Sequence, residues 1–244
     1  MDDRAFRGAP LRARSLDLAL AAVLLAPAAL LCAAIALAVL LADGRPVLHR
    51  SDRVTTGGRI FTLLKFRTMR PDPAEGGGEG VTGGHKASRV TPLGRFLRRS
   101  HLDELPQILN ILRGDMGFVG PRPPLPSVVA RHPQVYARVL AERPGLTGLA
   151  SLVFRTREAA LLSDVSSQAS AEEVYARRCL PAKARLDGLR RARPGLALDL
   201  LILAGTVSGR SSLPFRRFCR RLSHRRVRLN PIAGKSVNIH GTGR

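Results

Sequence analysis

Cysteine is scarce in this 244-residue chain: Cys32, Cys179 and Cys219 lie far apart with no paired spacing. That excludes a zinc knuckle or a disulfide framework and suits a reducing compartment. Tryptophan is absent and aromatics make up 4%, so stacking platforms for bases are few and single-stranded nucleic-acid recognition is disfavoured. The glycine-rich stretch from Arg70 to Ser88 contains no Gly-Lys-Ser/Thr, which excludes a P-loop and leaves a surface loop able to close over a substrate. Acids are the rarest charge, 18 Asp and Glu against 40 Lys and Arg, and none follows Asp199. A net charge of +22 calls for an anionic partner: nucleic acid, anionic lipid or a phosphorylated substrate.

What the chain does have begins with an uncharged run from Leu18 to Ala42, interrupted by Pro27. As a helix it is about 37 Å long, enough for a bilayer core. It is too long for the apolar part of a signal peptide, and Asp43-Gly44-Arg45 is a poor cleavage site. Arginines flank both ends, Arg4 to Arg14 before and Arg45, Arg50 and Arg53 after. Both flanks therefore favour the cytoplasmic side. A helix kinked at Pro27 that enters and leaves by one leaflet meets that demand better than a straight span.

A hairpin is predicted next: a short strand at Pro46–His49, a turn at Thr56–Arg59 and a return strand at Ile60–Phe66, with Lys65 and Arg67 near its end. The densest chemistry lies between Thr91 and Pro126. Arg95, Arg98 and Arg99 precede the adjacent acids Asp103 and Glu104, and Leu105, Ile108, Leu109 and Leu112 recur at helical spacing. Ser100 and Asp103 also fit a capping pattern, so the acids have a plain reading as a helix start. Two adjacent acids exceed what a cap needs, however, and arginines beside a helix N-terminus suit phosphate oxygens. Acids in that setting point to metal-assisted phosphoryl chemistry, with a carboxylate as nucleophile or metal ligand. Further on, Arg122 is clamped between Pro121 and Pro123, which stiffen the backbone on both sides; its plain reading is an exposed loop arginine.

Val128 to Arg143 reads as a helix broken by Pro144-Gly145. Glu172 to Lys183 reads as a helix, a break at Pro181 and a second helix. Leu196 to Val207 is too short to span and carries Asp199, which suits a core or interfacial helix. Phe215, Phe218 and Leu222 share a face among arginines, as in a helix lying on anionic lipid.

These motifs together resemble the bacterial sugar transferases that start glycan assembly on a polyprenyl phosphate, the monotopic phosphoglycosyl transferases. The matching residues are Lys65-Phe66-Arg67-Thr68-Met69, Thr91 to Arg98, Leu102-Asp103-Glu104-Leu105-Pro106-Gln107, Gly114-Asp115-Met116, Val119-Gly120-Pro121-Arg122-Pro123 and Arg143 to Gly148. In that family a re-entrant helix breaks at a Ser-Pro pair, where this chain has Ala26-Pro27, and the likeness thins after Leu149. The resemblance implies a UDP-sugar donor, a polyprenyl (undecaprenyl) phosphate acceptor, release of UMP and a covalent aspartyl-phosphosugar intermediate. Asp103 would be the nucleophile. Glu104, with Asp103, would hold Mg²⁺. Lys65, Arg67, Arg98 and Arg122, with Pro121 and Pro123 around the last, would bind the substrate. Asp115 fits a structural role.

The expected architecture is α+β and mostly helical: residues 1–44 a basic start and re-entrant membrane helix, 45–207 a catalytic domain with a small β-hairpin and interfacial amphipathic helices, and 208–244 a basic tail. The site would face membrane lipids on the cytoplasmic side of the bacterial inner membrane and take no nucleic acid. A catalytically silent scaffold recruiting glycan enzymes stays open, as does a membrane-tethered nucleic-acid binder, which explains the charge but not the acids.

Overall fold

The computed structural model describes residues 11–70, 88–163, 165 and 167–208. The glycine-rich segment and, apart from Ser208, the basic tail with its phenylalanines lie outside them. Helix α1 (Leu11–Asp43) runs through Pro27 without interruption. It is the one described helix long and apolar enough to cross a membrane. Its flanks, not its middle, touch the rest of the fold. Near the start, Ala21 joins Phe61, Leu63, Ile111, Met116 and Phe118 in one core cluster. Near the end, Ile35 and Val39 pack with Phe66 and Leu97 in another. Between them Val23, Leu25, Leu30 and Leu31 stay exposed.

The hairpin is present, but its first strand begins and ends later than the sequence indicates. Strand β1 (Leu48–Val54) pairs antiparallel with β2 (Ile60–Phe66), from Leu48 opposite Phe66 to Val54 opposite Ile60. The charges of Arg50, Asp52 and Arg53 disguise an edge whose Ser51 and Val54 are buried. A short 3-10 turn at Thr56–Gly58 joins the strands.

Helix α2 (Pro92–Ser100) starts on Thr91, whose Oγ1 accepts the Gly94 N–H at 2.9 Å. Ser100 does not cap the next element. Its hydroxyl donates back to the carbonyls of Phe96 and Leu97, and His101, at φ 59°, ends α2 in the left-handed region. A 3-10 helix, Leu102–Gln107, carries the two acids into α3 (Ile108–Arg113). Pro106 inside it has no N–H to donate, which suits this tighter, interrupted turn. The buried face holds Ile108, Asn110 and Ile111; Leu109 is exposed.

A second, parallel pair joins β3 (Gly117–Val119) to β4 (Gly145–Thr147). The single helix expected between them is two, α4 (Pro126–Arg131) and α5 (Pro133–Val139). Pro133 disfavours helical geometry at His132, which sits at φ −131°. Beyond β4 follow α6 (Leu149–Ser163), α7 (Gln168–Val174), α8 (Leu180–Ala192) and α9 (Leu196–Val207). Pro181 makes no break. It occupies the first turn of α8, and a π-helical turn at Tyr175–Cys179 joins α7 to α8. The described residues are mostly helical, with two small two-stranded sheets among them. Helix α9 buries Leu198 and Ile202 and exposes Leu196, Leu200 and Leu201; Arg190 pairs with its Asp199 at 2.9 Å.

Candidate active site

Three backbone segments converge on the acids. The first is β2, which ends beside the 3-10 helix and delivers Lys65: its Nζ donates to Glu104 Oε1 at 2.9 Å. The second is the loop after β3. Gly120 N–H donates to the Thr147 carbonyl at 2.8 Å, and Gly145 N–H to the Pro121 carbonyl at 2.9 Å. Any Cβ on Gly120, Gly145 or Gly148 would strike the backbone of a facing segment, so only glycine lets these segments lie this close. Pro121 and Pro123 are buried on either side of Arg122, which emerges to meet Glu104: Nη2 to Oε1 at 2.5 Å, Nη1 to Oε2 at 3.4 Å. The third is α2. Gly94 rests against the Thr68 backbone where a Cβ would clash, and one turn on Arg98 Nε donates to Thr68 Oγ1 at 2.8 Å.

Glu104, 12% exposed at the side chain, thus has a two-point arginine and a lysine on one carboxylate. Burial alone would push its carboxyl up, but Arg122 and Lys65 outweigh it and hold it well below the usual range. Glu104 in turn pushes the Arg122 guanidinium up. Burial pushes the Lys65 ammonium down, Arg122 adds to this, and Glu104 opposes it.

Asp103 differs. It is 8% exposed, and among the described residues no group donates a hydrogen bond to its carboxylate. Burial and the neighbouring Glu104 charge push its carboxyl up, which Lys65, Arg98 and Arg122 only partly offset. One acid is therefore locked as an anion, while its neighbour is short of stabilisation and basic. A buried carboxylate of that kind is suited to bond formation with an electrophile.

Asp103, Glu104, Lys65, Arg98 and Arg122 are brought together, with Pro121 and Pro123 as the scaffold of the last. Arg67 is not: its guanidinium donates to the carbonyls of Asp43, Gly44 and Arg45. It satisfies the open carbonyl end of α1, so the expected phosphate contact is here a helix cap. Asp115 is structural: its side chain accepts from Arg59 at 3.2 Å and from Asn110 at 3.3 Å, and its carbonyl from Thr55 at 2.6 Å. Asn110, fully buried, also braces β2 through the Leu64 N–H and the Thr62 carbonyl. Its place within an apolar helical run was the available clue. His101 is another residue that sequence reasoning passed over. Its ring pairs with Arg155 of α6 at 2.6 Å. Burial and Arg155 push its imidazolium down.

Among the described residues no three His, Cys, Asp or Glu side chains converge on one point. The donors at the site are the two adjacent carboxylates. One or two carboxylates completed by substrate phosphate oxygens is an ordinary Mg²⁺ set; Asp103 fits that ion as it stands, whereas Glu104 would have to yield its contacts to Arg122 and Lys65 to join it.

The family described as bacterial sugar transferase matches residues 9–209. The chain belongs to the bacterial sugar transferase family. It is 46% identical over 146 residues to a UDP-glucose:undecaprenyl-phosphate glucose-1-phosphate transferase of Caulobacter vibrioides, covering 58% of this chain and 54% of that protein. It is 38% identical over 113 residues to a Bacillus subtilis protein described as a putative undecaprenyl-phosphate N-acetylgalactosaminyl 1-phosphate transferase, covering 46% and 62%. An undecaprenyl-phosphate galactose phosphotransferase of Salmonella typhimurium is 36% identical over 120 residues, 44% of this chain and 26% of that protein. In each case the match spans less than two thirds of the relative.

Proposed function

We propose that this bacterial sugar transferase moves a phosphosugar from a UDP-sugar to polyprenyl (undecaprenyl) phosphate, the first step of glycan assembly. The observation that carries this reading is the buried Asp103 carboxylate, which accepts no hydrogen bond among the described residues and stands beside a Glu104 held by Lys65 and Arg122. An oxygen of Asp103 attacks the sugar-side phosphorus. The phosphorus–oxygen bond to UMP breaks, and UMP leaves with the electron pair. The lipid phosphate then attacks the same phosphorus, the aspartyl bond breaks, and polyprenyl-diphosphate-sugar is released with Asp103 restored. Arg122 and Lys65 would take phosphate oxygens as charge shifts, and Arg98 would steady the diphosphate. Asp103 and Glu104 would hold Mg²⁺, which supplies charge neutralisation on the phosphate oxygens.

Membrane placement follows from α1. Arg14, near its start, donates to the carbonyls of Ile111 and Leu112 at 2.6 and 2.9 Å, and Asp17 accepts the Phe118 N–H at 3.1 Å. Asp43, at its end, accepts from Thr91 at 2.9 Å. Both ends thus bind one folded domain, which supports a helix that dips into the cytoplasmic leaflet of the inner membrane and returns rather than one that crosses it.

The test is UMP release from a panel of UDP-sugars, with and without undecaprenyl phosphate, alongside intact mass of the protein. A substoichiometric burst without lipid and a mass increase of one phosphosugar are expected, both lost in Asp103→Asn and after chelation. A folded protein that binds UDP-sugar and releases no UMP would overturn the reading in favour of a silent scaffold.

A further inference from the structure

Beside the acid cluster lies a cavity of about 530 Å³, walled on one side by Lys65 and Arg122 and on the other by residues of α6 and α8. The far wall, on α6 and α8, is mixed in charge, with the cations Arg155 and Lys183 beside acids. Two carboxylates line it, Glu158 and Asp187. Lys183 pairs with Glu158 at 2.9 and 3.1 Å. Asp187 is 8% exposed and has the Ala150 N–H as its hydrogen-bond donor. Gln107, from the 3-10 helix that carries the acids, also lines the cavity. It is 1% exposed, and its Nε2 has no hydrogen-bond partner among the described residues. A buried amide donor left in this way points to a ligand that would accept from it.

The two ends select different parts of a ligand. A phosphate belongs with Lys65 and Arg122, where both cations reach the cavity, rather than with the buried acceptor Asp187 or with Glu158, whose charge Lys183 already balances. A neutral ring bearing hydroxyls suits the far end: hydroxyls donate to carboxylates and accept from an amide N–H. The volume is in the range of small-molecule sites. We propose that the far end of this cavity is the specificity subsite for the hexosyl group of the donor, with Asp187, Glu158 and Gln107 reading its hydroxyls. The inference rests on the phosphosugar-transfer reading above. It gives the segment beyond Gly148, where the family likeness thins, a role in choosing the sugar. The ribose of the nucleotide presents the same chemistry, and the experiment separates the two.

The full-length protein is assayed with UDP-glucose, UDP-galactose, UDP-N-acetylglucosamine and UDP-N-acetylgalactosamine, and binding of each and of UMP is measured separately by calorimetry. Asp187→Asn and Glu158→Gln should each lower kcat/KM for the preferred UDP-hexose about ten- to a hundredfold, as expected for losing a charged hydrogen-bond partner. They should narrow the preference over the other sugars and leave the UMP Kd within about twofold. Glu158 is less buried, at 24% side-chain exposure, so Glu158→Gln carries the test if Asp187→Asn does not fold. An unchanged sugar ranking would overturn the subsite, as would UMP affinity falling in step with that of the UDP-hexoses, the signature of a ribose site. A wild type that binds UDP-hexoses selectively without turnover, and loses that selectivity in Glu158→Gln, would keep the subsite while removing the reaction it rests on.

Discussion

Arg122 meets Glu104 with both prongs of its guanidinium, and Lys65 reaches the same carboxylate from β2 at 2.9 Å. The three residues come from separate segments, so the contact fastens the hairpin, the 3-10 helix and the proline-bounded loop at one point. Such a cluster ties the fold together and, in the reaction proposed, also serves the substrate; the two roles can be told apart by pH.

Stability at low pH is the first consequence. Glu104 is held below its ordinary value of 4.5, so the fold prefers the ionised form. That preference is complete above pH 4.5 and is lost as pH falls below it. Thermal unfolding should show this as a decline in Tm on acidification that is steeper for the wild type than for Glu104→Gln. At pH 7 the variant should be less stable by about 1–3 kcal/mol, at the lower end because Arg122 is 41% exposed. Parallel Tm-against-pH curves for the two proteins would count against a stabilising ion pair.

Asp103 runs the other way. Its ordinary value is 3.8, and burial and Glu104 push it up while Lys65, Arg98 and Arg122 hold it back. As the proposed nucleophile it would work only when ionised, so activity should rise with pH through a limb above 3.8. Lys65→Met removes one restraining charge. The limb should move to higher pH in that variant, and kcat/KM at neutral pH should fall by about tenfold or more if Lys65 takes a substrate phosphate as proposed. The pH profile of UMP release checks both, and a limb that stays in place would mean that Lys65 does not act on Asp103.

The cluster was largely legible in the sequence because its members sit in short, stiff motifs: the adjacent acids, the proline-clamped Arg122 and Lys65 at a strand end. Arg67 was not. It lies two residues from Lys65 on the same chain end, and nothing local says that one meets an acid while the other caps α1; that depends on where a distant helix terminates. The β3–β4 pair escaped for a different reason. Each strand has three residues, too few for an alternation to be visible. Gly145 reads as a helix breaker, whereas the physical role of Gly120, Gly145 and Gly148 is close approach of facing backbones. The helices of residues 126–139 were visible as helical character, and only the weight given to Pro133 was missing. Gln107, Glu158 and Asp187 are brought to one cavity from the 3-10 helix, α6 and α8, a convergence that no spacing along the chain encodes.

The ties at the two ends of α1 make a prediction about topology. Straight, this 33-residue helix would be about 50 Å long, yet Arg14 and Asp17 near one end and Asp43 at the other are bonded to the same domain. A helix crossing the bilayer would carry its ends to opposite faces, and one domain cannot hold both without losing the contacts at Ile111, Leu112 and Phe118 or the contact at Thr91. In a variant lacking the native cysteines, Ser15→Cys and Arg50→Cys should therefore react with an impermeant maleimide from the same side: in inside-out vesicles but not in intact cells with a permeabilised outer membrane. Removing the anchors with Arg14→Ala and Asp17→Asn together should lower Tm, since Arg14 also closes the carbonyl end of α3, at a cost of about 1–2 kcal/mol. The labelling pattern of the anchored protein should stay one-sided. Labelling of the two positions from opposite faces would require the contacts at one end of α1 to be broken in the membrane, and the dipping helix would have to be given up.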